Sequence, residues 1–69
     1  MKATMKNLNA EIARRWSDQD IEFWKGAGYF YFSGSDGMNI SSICVYALNQ
    51  MDFDEWMDHI TLSIEDANR

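Results

Sequence analysis

The chain has 69 residues, of which 46% are hydrophobic and ten are aromatic, and its net charge is −5. That length suits one domain, and the aromatic content argues against a disordered acidic tail, because each ring brings roughly 150–250 Å² of surface to bury. The negative charge disfavours direct contact with nucleic-acid phosphates and favours basic surfaces.

Charge is unevenly spread. Residues 1–15 hold Lys2, Lys6, Arg14 and Arg15 against Glu11, a balance of +3. Residues 16–69 hold ten acids against Lys25 and Arg69, a balance of −8. The N-terminal segment lacks the apolar core of a secretory signal. No apolar run approaches the roughly 18–20 residues that span a bilayer. A single cysteine, Cys44, gives no internal disulfide, which fits the reducing cytoplasm of a host cell.

In chain order, Met5, Leu8, Ile12 and Trp16 form one helical stripe, predicting a helix over about residues 4–15. Ser17 as N-cap, Asp20 three residues later and a Trp16–Ile21 staple predict a second, short helix ending at Lys25-Gly26. Asp18 and Glu22 would then share a face of that helix at i, i+4. The run Gly28–Ser33 reads as a strand with Phe30 and Phe32 on one side and Tyr29 and Tyr31 on the other. Residues 34–37 read as a turn. Residues 38–48 read as further strand, with Met38 and Ile40 on one parity, Ile43, Val45 and Ala47 on the other, and a bulge or break at Ser41-Ser42. Asp52 and Glu55 make a capping box and Met51 and Trp56 a staple for a last helix. Its apolar face is Phe53, Trp56, Met57, Ile60 and Ile64.

The expected fold is therefore a single acidic α+β domain over residues 1–69. It has two N-terminal helices, a two- or three-stranded antiparallel sheet and one C-terminal helix packed on it.

On the last helix, Asp54, Asp58 and Glu65 fall within about 40° of one another in projection, flanked by Glu55 and Asp66. With Asp18 and Glu22 they form the candidate partner-binding acidic face. Carboxylates repeating about 6 Å apart along a rod imitate a phosphate strand, so a basic groove built for phosphates would accept them. The same stripe also reads as a solvated helix face that keeps the protein soluble. Tyr29 and Tyr31 are the alternative, aromatic binding residues if the helices cover only one side of the sheet.

His59 reads as a surface histidine and Cys44 as a buried, inert thiol. One His and one carboxylate make no zinc site, and no nucleophile–base set or phosphate loop is present, so no catalysis, metal or cofactor is expected. Lys2, Lys6, Arg14 and Arg15 leave a third option, weak nucleic-acid or membrane binding.

The stretch KGAGYFYFSGSDGMNISSICVYALNQMDFDEWMDHI resembles a small module of phage and mobile-element proteins. In size, acidity and helix–helix–hairpin–helix layout, the whole chain resembles type I anti-CRISPR proteins. Several of these act as double-stranded DNA mimics. The resemblance implies an inhibitor that blocks the DNA-binding and PAM-binding surface of a Cascade complex in the host cytoplasm; a monomer is expected, with an adaptor, an antitoxin-like protein or a homodimer as the alternative through the tyrosine face. It assigns no individual residue.

Overall fold

The computed structural model describes residues 2–69. Over these residues the fold is α+β, with two α-helices and one two-stranded antiparallel sheet. In chain order it runs α1 (Met5–Arg15), β1 (Glu22–Lys25), β2 (Phe30–Ser33), a 3-10 turn (Leu48–Gln50) and α2 (Phe53–Ala67). No described helix is long and apolar enough to cross a membrane.

α1 follows its apolar stripe. Thr4 caps it by accepting the Asn7 N–H (3.1 Å). Leu8 and Ile12 are buried, with Met5 and Trp16 half-buried beside them. α2 is capped by Asp52, whose carboxylate accepts the Glu55 N–H (2.8 Å). Its buried face is Trp56, Met57, Ile60 and Ile64, with Phe53 and Met51 packed at the margin.

The predicted second helix is not formed. Ser17, Asp18 and Gln19 turn the chain out of α1, and Glu22–Lys25 is β1. Two competing interactions explain the change. The Asp20 carboxylate does not cap a helix but accepts the Ser35 N–H (2.9 Å) and hydroxyl (3.1 Å). The Asp20 N–H in turn donates to Asp36 Oδ2 (2.7 Å). Beyond this clasp, Ile21 and Phe23 are buried while Glu22 and Trp24 are exposed. That is the two-residue period of a strand, and β2 is available to pair with it.

The register sets Glu22 opposite Ser33, Phe23 opposite Phe32, Trp24 opposite Tyr31 and Lys25 opposite Phe30. At Gly34, φ is +93° and a Cβ would lie 2.4 Å from the Asp20 carbonyl oxygen, so only glycine lets the turn close on the clasp.

Residues 38–48 also depart from expectation. They form no strand. Ile43 alone makes an antiparallel bridge to Phe30, by reciprocal hydrogen bonds of 2.9 and 2.8 Å. Ile40 and Ile43 are buried, whereas Met38 is exposed, so Met38 and Ile40 do not share a side. Anchors three residues apart suit neither strand parity; the segment is an irregular cover pinned at two isoleucines.

The core lies between the inner sheet face and the two helices. Phe23 stacks on Phe30 (ring centroids 5.5 Å apart), and Trp56 meets Phe30 edge-on at 4.6 Å and Phe23 at 5.8 Å. The buried Trp56 indole N–H donates to the Leu48 carbonyl (2.7 Å). Burying a large ring together with its polar atom is what a satisfied partner permits.

Candidate functional site

The sequence-predicted acids separate into two groups. Asp54, Glu55, Asp58, Glu65 and Asp66 are all exposed on α2. They lie away from the side of the helix that carries Trp56, Met57, Ile60 and Ile64. Asp54 and Glu55 occupy its first turn, where the helix dipole favours carboxylates. Asp66 reaches Arg69 at 3.9 Å, an exposed pair of little energetic weight. Among the described residues no salt bridge joins Asp54, Glu55, Asp58 or Glu65 to a cation.

Asp18 and Glu22 do not join that row. With no helix over residues 17–25, they are not an i, i+4 pair. Asp18 lies in the turn after α1, and Glu22 points from the outer face of β1. The sheet stands between Glu22 and α2.

The basic residues are partly neutralised at home. Arg14 Nε donates to Glu11 Oε1 (3.0 Å), and Arg15 Nε donates to Glu11 Oε2 (2.7 Å). Hydrogen bonds from Arg14, then Arg15, hold the Glu11 carboxyl at about 2, well below its ordinary 4.5. The Asp20 carboxyl is also lowered, chiefly by the Ser35 N–H.

The outer sheet face is a second surface. Tyr29 and Tyr31 are 42% and 38% exposed, with rings 5.9 Å apart. Sequence reasoning missed Trp24, which stands opposite Tyr31 and is 46% exposed. A helix over residues 17–25 hid it; the alternation Ile21-Glu22-Phe23-Trp24 was the signal that could have found it. Tyr46 (76% exposed) adjoins the hairpin, 3.9 Å from where a Gly28 Cβ would be. Beside the sheet, Met5, Asn9 and Ala13 of α1 and Ile21 and Trp24 line a groove of about 560 Å³.

Both sheet edges are engaged. The Asn9 side chain accepts the Phe23 N–H (2.8 Å) and donates to the Phe23 carbonyl (2.9 Å), standing where a third strand would pair with β1. Ile43 occupies the edge of β2 at Phe30.

His59 is exposed, as the sequence suggests. Cys44 is exposed too, contrary to the expected buried thiol: Ile43 is buried and Val45 packs on the core, while Cys44 between them is left outside. Among the described residues, no group of three or more His, Cys, Asp or Glu side chains is placed to hold a metal ion.

Comparison of the chain with protein-family models, with curated proteins and with solved structures finds no match.

Proposed function

We propose that this chain is a non-catalytic inhibitor that binds a basic, nucleic-acid-binding protein surface through the outer side of α2. One observation carries the reading: four exposed carboxylates on one helix, Asp54, Glu55, Asp58 and Glu65, have no cationic partner among the described residues, while Arg14 and Arg15 both turn to Glu11. Like charges at helical spacing repel by a few tenths of a kcal/mol per pair. A basic groove relieves that repulsion on binding and is steered toward it from a distance. From Asp54 to Glu65 the row is about 16 Å long. Asp18 and Glu22 fall outside this binding face.

The class of partner is taken from the resemblance to type I anti-CRISPR proteins in size and acidity, without the second helix of the expected layout: the DNA-binding and PAM-binding surface of a Cascade complex in the host cytoplasm. The test is competition. Purified protein is added to a Cascade complex bound to duplex DNA, at rising salt, with and without Asp54→Lys/Asp58→Lys. The reading expects displacement that fades with salt and disappears in the double variant. A folded protein that displaces no DNA at low salt refutes it.

A second reading has its own observation. Trp24, Tyr29 and Tyr31 are exposed side by side on the outer sheet face, which favours an adaptor or antitoxin-like protein binding a protein partner there. Such a complex would resist salt and fail on Tyr29→Ala or Tyr31→Ala.

A further inference from the structure

The outer sheet face is a pre-arranged aromatic platform. Trp24 is pinned, because its indole N–H donates to Ser33 Oγ (2.6 Å). Tyr29 is pinned as well. Its ring lies over Gly26, where a Cβ would come within 2.6 Å of it. Rings held in place lose little conformational freedom when a ligand covers them. Multiplying the exposures of Trp24, Tyr29 and Tyr31 by the roughly 150–250 Å² an aromatic side chain presents gives on the order of 200–300 Å² of aromatic surface.

Several occupants are disfavoured by what surrounds this face. A partner strand finds Asn9 standing at the edge of β1 and Ile43 at the edge of β2. A second copy of the chain would need about 800 Å² per partner for a standard stable interface, more than these rings offer. Single-stranded nucleic acid stacks on such rings only where the groove is positive, and this chain carries −5.

A polyproline II segment meets none of these obstacles. It needs no sheet edge, its carbonyls are free to accept from tyrosine hydroxyls, and its rings pack on aromatic ridges. The Tyr29 and Tyr31 rings are 5.9 Å apart, close to two residues of polyproline II at a rise of about 3.1 Å each. Charge is graded along it. Asp20, Glu22 and Asp36 are exposed at the Ser33 end, whereas no acid stands at the hairpin end, where Lys25 is exposed on the other parity, opposite Phe30.

We propose that the Trp24–Tyr29–Tyr31 face binds a proline-rich segment of a partner protein, with the segment's basic flank at the Glu22 end. The inference deepens the second reading above and is independent of the acidic one, since α2 packs on the opposite side of the sheet.

The experiment is a two-dimensional NMR titration of the full chain with two synthetic peptides, eight prolines followed by two arginines and eight prolines followed by two glutamates. Saturable shifts are expected at the Trp24 indole N–H and at Tyr29 and Tyr31, with the arginine peptide binding more tightly. Trp24→Ala or Tyr31→Ala should weaken binding by about tenfold or more, the scale of losing an anchoring aromatic. Glu22→Gln should reduce the preference for the arginine peptide, and Asp54→Lys/Asp58→Lys should change nothing. The Trp56 indole N–H, held inside the core, reports that each variant is folded. The proposal is overturned if millimolar peptide gives no saturable shift, or if a folded Trp24→Ala binds as well as the parent. Shifts that grow with protein concentration alone would also overturn it, by assigning the face to a second copy.

Discussion

Asn9→Ala is the sharpest test of how this fold is held together. Asn9 sits in the interior of α1, where asparagine is a poor helix former, so its value must come from its contacts. In the antiparallel register, Phe23 pairs with Phe32 at a position whose own N–H and C=O point away from β2. The Asn9 amide closes both groups, at 2.8 and 2.9 Å, and also donates to the Met5 carbonyl (3.1 Å). Removing the amide strands one donor and one acceptor in a half-buried place, at roughly 1–3 kcal/mol for each group that water cannot reach. Part of that is recovered by the better helix propensity of alanine, about 0.5 kcal/mol. The net loss is about 2 kcal/mol, out of the roughly 3–10 kcal/mol that a chain of this length has in total. For a domain this small, each 1 kcal/mol lowers Tm by about 4–8 °C, so thermal unfolding followed by circular dichroism should show a drop of about 8–16 °C. Hydrogen exchange at the Phe23 amide should accelerate more than at Trp56. A Tm within about 2 °C of the parent, with Phe23 still protected, would refute the assignment of Asn9 as the closing partner of β1.

Gly34→Ala places a side chain at a φ of +93° and against the Asp20 carbonyl; a loss of roughly 1–3 kcal/mol is expected in urea unfolding, whereas an unchanged midpoint would mean that the turn closes differently. For pH, Glu11 is held at about 2 in the fold against an ordinary 4.5, so its contribution is complete above 4.5 and is lost as pH falls toward 2. Urea midpoints measured from pH 6 to pH 2 should fall less steeply for Glu11→Gln than for the parent, with the difference shrinking in high salt because the arginines on Glu11 are exposed. Equal slopes would show that the Arg14 and Arg15 bonds to Glu11 do not form in solution. Asp20, lowered by Ser35, keeps part of the acid sensitivity in either protein.

The sequence by itself determined the two long helices and one strand, because each carries a local, self-sufficient code. The Leu8/Ile12 stripe, the Asp52 cap and the spacing Trp56–Met57–Ile60–Ile64 specify helices whatever they pack against. The alternation of tyrosine and phenylalanine specifies β2 and which of its rings share a face. The carboxylates of α2 were legible for the same reason, since their helix was.

Residues 17–25 and 38–48 were different, because their signals were short and compatible with two states. Ser17 and Asp20 fit a helix start, yet Asp20 finds Ser35, distant in sequence, and β1 finds β2. Once β1 forms, Glu22 leaves the acidic row and Trp24 joins the aromatic face, so both candidate surfaces are redrawn by one tertiary choice. In residues 38–48 Ile43 alone bridges to a strand, and a run of β-prone residues without a ladder stays irregular. The edge closure by Asn9 likewise exists only when α1 meets β1. Local pattern settled the two long helices; long-range hydrogen bonds settled that residues 22–25 are a strand paired with β2 and what the outer face presents.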